Sequence, residues 1–203
     1  MEIGNINSPD DILNFLNCNI KYGWIGVDGS VHENNMDNFR LLYRTSNLKD
    51  VLKKGLGTCI EQVFLTKYLL DKINIPSKMF CTRMYEDESF NDLNAPERMH
   101  CFILFYIEDK VFRLEHADIE NAGIYSYNSE DEAIKTIVSH YERMTAISYL
   151  KNNKEVPVNG FKRTTTKFFD VPSNLSYMEF NIYVNNLDKK KVIKWKIKKI
   201  RRV

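Results

Sequence analysis

The chain has 203 residues, 43% of them hydrophobic and 28% charged, a balance that excludes a disordered polymer and fits a globular core. No apolar run nears the ~20 residues that a membrane-spanning helix requires, and Met1-Glu2-Ile3-Gly4-Asn5 lacks the basic start and apolar block of a secretory signal, so a cytoplasmic location is the expectation. The net charge of +2 is uneven: nine basic residues and no acidic one lie between Lys189 and Arg202, against a remainder with 20 basic and 27 acidic residues.

In chain order, Ser8-Pro9-Asp10-Asp11 predicts a helix start, with Ser8 as N-cap, Pro9 in the first position and acids in the first turn. The segment Ile20–Gly26 follows, then a turn at Asp28-Gly29-Ser30. Residues 36–54 have helical apolar spacing, with a break near Ser46-Asn47. After the loop Gly55-Leu56-Gly57, a helix over 59–73 is predicted from Val63, Phe64, Leu69, Leu70 and Ile73, capped by Thr58 or Gly57 and stopped by Asn74-Ile75-Pro76.

Three strands are predicted next, at Ser77–Tyr85, His100–Glu108 and Lys110–His116, with a hairpin turn at Glu108-Asp109-Lys110 and a polar surface flap over Glu86–Met99. Ser129-Glu130-Asp131-Glu132 opens a helix to about Leu150. Beyond Pro157 and Gly160 come a strand near Phe168-Phe169, a helix near 176–186 with a Ser176/Glu179 capping box, and the basic tail. The partition is a core over 1–156 and a C-terminal extension over 157–203.

Four cysteines are present, Cys18, Cys59, Cys81 and Cys101. None forms a CxxC pair and no histidine lies at finger spacing, so the pattern gives no structural zinc site, and free thiols are expected. Cys18, Cys81 and Cys101 read as buried small hydrophobes. Cys59 differs, because it opens the first turn of a helix after two glycines. There the exposed N–H groups and the helix dipole stabilise a thiolate, and the glycines leave room for a substrate backbone. His100 opens a strand, and Glu115 closes the next strand of the same hairpin, where a carboxylate can orient an imidazole. His116, one residue on, faces the other side of the strand and reads as structural. His32 and His140 stand among polar neighbours and read as solvated, while Phe102, Phe105 and Tyr106 read as sheet packing.

The order Gly57-Thr58-Cys59 and amphipathic helix, Ile75-Pro76, His100 opening an apolar strand, then Phe112-Arg113-Leu114-Glu115, resembles the transglutaminase-like superfamily over Gly55–His116. The resemblance implies an α+β, papain-like core, its nucleophile helix packed on an antiparallel sheet. It carries Cys59 to the nucleophile, His100 to the general base and Glu115 to the third member, with Asp118 as a rival for that role. Phe112 replaces the family's usual Trp, and Glu115 its usual Asp. Trp24 stands where some relatives place an oxyanion-hole aromatic, although a core role is the commoner one for such a residue.

The resemblance implies a thiol hydrolase acting on a peptide or protein amide through a thioester, protease- or deamidase-like, without metal or organic cofactor. Two alternatives stand beside it: a transamidating transglutaminase, and a binding module of the same fold with an eroded triad. The tail Lys189–Arg202 offers contact with nucleic acid or an anionic surface, or an edge strand whose lysines discourage aggregation.

Overall fold

The computed structural model describes residues 3–86 and 96–187. They form an α+β structure whose centre is a five-stranded antiparallel sheet. The elements in chain order are α1 (Pro9–Asn19), β1 (Lys21–Ile25), β2 (Val31–Glu33), α2 (Phe39–Leu42), α3 (Leu48–Lys54), β3 (Leu56–Gly57), α4 (Cys59–Lys72), β4 (Ser77–Tyr85), β5 (Arg98–Ile107), β6 (Lys110–Glu115), a 3-10 turn (Ile119–Asn121), β7 (Gly123–Tyr127), α5 (Glu130–Lys151) and β8 (Lys162–Phe168). A last helix, α6, covers residues 177–187.

The large sheet runs β7-β6-β5-β4-β8, and a small one runs β2-β1-β3. Helices cover the large sheet on both faces. Alternate residues of β4 and β5 therefore feed two cores: Met79, Cys81, Cys101, Ile103 and Phe105 pack with α1, α4 and α6, whereas Phe80, Met84, Phe102 and Leu104 pack with α5. Burial on both faces explains why these central strands lack the apolar-polar alternation of a half-exposed sheet. Among the described residues, no helix is long and apolar enough to cross a membrane.

The predicted helix starts are built as their residues dictate. Ser8 accepts from the Asp11 N–H at 3.1 Å, Ser129 from the Glu132 N–H at 3.1 Å, and Ser176 and Glu179 exchange bonds at 2.8 and 3.2 Å as a capping box. The break in 36–54 is real and wider than expected, spanning Tyr43–Asn47 between α2 and α3. Small-sheet strands β2 and β3, and β7 of the large sheet, have no strong sequence signal; at two to five residues they exist through their partners.

Some single-residue expectations fail. Cys18 is exposed, because it lies two positions after the buried Leu16 on α1 and so on the far side of the helix. His32 is half-buried and stacks on Trp24, ring centroids 3.8 Å apart, and His140 is half-buried with Nε2 3.2 Å from the Asp118 carboxylate. Neither histidine is freely solvated. Most of the flap Glu86–Met99 and the whole basic tail Lys189–Arg202 lie outside the described residues, and β5 begins at Arg98 rather than His100.

The C-terminal piece shares the core. Strand β8 pairs with β4 from Met79↔Phe168 to Tyr85↔Lys162, and Phe180 and Val184 of α6 are fully buried. The buried Arg83 of β4 ties the two together, donating to Thr166 Oγ1 of β8 at 2.6 Å and to Asn185 of α6.

Gly55 ends α3 in the left-handed region, φ 66°, and a Cβ there would sit 2.9 Å from the Asn19 carbonyl oxygen. Gly55→Ala is expected to destabilise the fold by at least about 1 kcal/mol through backbone strain and this clash. That corresponds to a fall of about 2–4 °C or more in the unfolding midpoint by calorimetry; an unchanged midpoint would show that the turn tolerates a side chain.

Candidate active site

The site begins with the way α4 starts. Thr58 is the N-cap, its Oγ1 accepting from the Ile60 N–H at 3.3 Å. Glu61 reaches back, its Oε2 accepting from the Thr58 N–H (2.9 Å) and Oγ1–H (2.6 Å). Its Oε1 accepts from the Tyr43 hydroxyl at 2.6 Å and the Ser46 N–H at 3.0 Å. This carboxylate is buried, and burial raises its pKa despite the four donors. On the other side, His116 Nδ1 bonds Gln62 Oε1 at 2.7 Å, and Gln62 Nε2 donates to the Gly57 carbonyl at 2.8 Å. His116 thus braces the loop before Cys59, and burial keeps it neutral by lowering its pKa.

Cys59 follows at the first helical position, where an N–H has no intrahelical acceptor. Hydrogen bonding from the Cys101 thiol is foremost in holding the Cys59 thiol well below its ordinary pKa; burial opposes, and the His100 ring and the Cys101 N–H add to the lowering. Cys101 shifts the other way, well above its ordinary value, through burial and through its bonds to Cys59 and Cys81. It keeps its proton and donates to the Cys59 sulfur. Sequence reasoning gave Cys101 a packing role only; its partnership depends on where α4 lands on β5.

His100 and Glu115 meet as the hairpin places them. His100 Nε2 lies 2.9 Å from Glu115 Oε2. The same oxygen accepts from Arg113 Nη2 at 2.8 Å, and Glu115 Oε1 accepts from the Asp118 N–H at 2.9 Å. Burial works against both charges, but the Glu115 charge and the bonds to Cys59 and Glu115 raise His100 to about 9. Likewise the His100 charge and hydrogen bond, with Arg113, outweigh burial and hold Glu115 at about 2. Asp118 does not reach His100. Its Oδ2 accepts from the Tyr141 hydroxyl at 3.1 Å, and the Tyr141 ring stacks on His100 with centroids 4.1 Å apart. Asp118 therefore positions the ring that supports the imidazole. No sequence spacing pointed to Tyr141, which arrives from α5.

A cavity of about 480 Å³ opens over Cys59, lined by Tyr22, Phe39, Arg40, Arg98, Met99 and Tyr177 among others. Trp24 is not free to serve it, because its Nε1–H donates to the Asn35 carbonyl at 2.8 Å and the side chain is 3% exposed. Tyr22 is the residue of β1 that lines the cavity, set beside Gly57 by the parallel β1–β3 pairing. Burial, then the Cys59 charge, raise its pKa, so the hydroxyl remains a proton donor.

The pair has a defined pH dependence. His100 is raised from 6.5, so its stabilisation is whole below pH 6.5 and is lost as pH rises through about 9. Glu115 is lowered from 4.5, so its share is whole above pH 4.5 and is lost as pH falls through about 2. Glu115→Gln removes the main raising charge, and the His100 midpoint, followed by proton NMR of the ring, is expected to fall from about 9 toward 6.5 or below; a midpoint still near 9 would show that Glu115 does not govern the imidazole. The chain matches no protein-family model, no curated protein and no solved structure.

Proposed function

We propose that this chain is a thiol hydrolase of transglutaminase-like, papain-like type, cleaving an amide with Cys59 as nucleophile and His100 as acid-base partner. The observation that carries the reading is the buried His100–Glu115 contact of 2.9 Å beside a cysteine at a helix N-terminus under a cavity. Those are the groups an activated thiol requires: a stabilised thiolate, a proton carrier, and an acceptor that fixes the carrier.

In this reading the Cys59 thiolate adds to the carbonyl carbon, and the electron pair moves to oxygen. The Cys59 N–H and the Tyr22 hydroxyl are the donors available to that oxyanion. As the C–N bond breaks, the His100 imidazolium gives its proton to the departing amine, leaving a thioester. Neutral His100 then takes a proton from water, whose oxygen attacks the thioester and restores the Cys59–His100 ion pair. Glu115 keeps its charge throughout and stabilises the imidazolium. The four free thiols suit a reducing compartment such as the cytoplasm.

The test is the rate of Cys59 alkylation by iodoacetamide against pH, with peptides assigned by mass spectrometry. An ordinary thiol slows about tenfold for each pH unit below its pKa; Cys59 is expected to hold its rate, within about twofold, between pH 8 and 6. His100→Ala should restore the ordinary slope. A wild-type Cys59 that titrates like the exposed Cys18 would end the catalytic reading.

A further inference from the structure

The proposed chemistry leaves two cations in the cavity unused. Arg40 of α2 donates from Nη2 to the Pro96 carbonyl at 2.9 Å and lies over the Tyr177 ring, 5.7 Å from its centroid. Arg98 of β5 donates from Nη2 to the Met144 carbonyl at 3.4 Å, and its Nε is buried with no hydrogen-bond partner. Both line the Cys59 cavity. No ion pair among the described residues includes either. Glu97 lines the same cavity, its carboxylate beside the Tyr149 hydroxyl, which donates to Glu86 Oε2 at 3.2 Å.

A guanidinium presents five donors in a flat fork that matches a carboxylate, and each arginine here spends one on a backbone carbonyl. An N–H kept from water without an acceptor is a cost that an incoming anion relieves. Arg98 stands two residues before His100 on the same side of β5, a Cα separation of about 7 Å in a strand. An anion on Arg98 is therefore close to the reacting carbonyl, while Phe39 and Met99 supply apolar wall beside it.

We propose that Arg98 and Arg40 form a carboxylate-binding subsite, and that the substrates are acidic peptides whose carboxylate lies next to the scissile amide. The substrate class rests on the reading of Cys59 as nucleophile; the subsite rests on the arginines alone.

The experiment compares iodoacetate with iodoacetamide, probes of nearly equal shape that differ by one negative charge. Each Cys59 rate is expressed as the ratio of the two in the same sample, with the exposed Cys18 as internal reference. The ratio at Cys59 is expected to exceed that at Cys18 by about tenfold, a charge effect that screens with salt. Arg98→Met and Arg40→Met should each lower it several-fold, and Arg98→Lys, which keeps the charge but loses the fork, should recover part of it. Since the ratio cancels general loss of thiol reactivity, a variant with a weakened fold still reports. Ratios unchanged in both Met variants would overturn the subsite. Glutarate should protect Cys59 from iodoacetamide in the wild type, and protection by inorganic phosphate alone would overturn the carboxylate assignment. If Cys59 proves an ordinary thiol, the ratio is read at pH 9 instead, so failure of the hydrolase reading and failure of the subsite are separable.

Discussion

The Glu61 carboxylate sits inside the protein and binds three pieces of chain at once: its own helix cap at Thr58, the Tyr43 hydroxyl after α2, and the Ser46 amide before α3. Burial penalises a charge unless donors surround it, and here every donor comes from a segment that must be in place for the helix to begin where it does. The start of α4 fixes the height of Cys59 above β5. It also leaves the Cys59 N–H pointing out of the helix end, and the Gln62–His116 link closes the opposite side of the loop.

From that fixed point the charges around Cys59 form a ladder in which each group limits its neighbour's freedom. Asp118 holds the Tyr141 hydroxyl, Tyr141 stacks on His100, and Glu115 takes both His100 and Arg113. Buried ions are costly unless paired and hydrogen-bonded, so these partners determine which protonation state exists in the interior. Their combined effect keeps His100 charged and Glu115 ionised across the neutral range, while Cys101 remains a thiol beside a cysteine that tends to lose its proton.

The cavity is assembled from distant parts of the chain. Tyr22 comes from the small sheet, Arg40 from α2, Arg98 from the large sheet and Tyr177 from the first turn of α6. The C-terminal piece is therefore wall as well as sheet edge: β8 extends the large sheet through β4, and α6 closes one side of the space over the thiol. Arg83 welds that wall to the sheet from within, through groups of both β8 and α6.

Local rules determined a good deal here. Ser8, Ser129 and Ser176 cap helices because a side-chain oxygen one residue before a helix meets an amide that would otherwise lack an acceptor. The hairpin β5–β6 follows from apolar runs joined by a two-residue turn, and it brings His100 to the end of β6 where Glu115 lies. The choice between Glu115 and Asp118 was not legible, because both lie near the end of β6 and only the turn of the backbone beyond it sends Asp118 to Tyr141. Trp24 and Tyr22 differ by two positions on one strand, so pattern could not say which meets the cavity; the Asn35 carbonyl, reached by a loop, took the indole N–H. Sequence alone determined most of the helices, the strands β4 to β6 and the pairing within one hairpin, where neighbours in space are neighbours in the chain. The three-thiol contact, the stacked Tyr141 and the two cavity arginines were decided by tertiary structure, since each joins side chains whose separation along the chain carries no periodic signal.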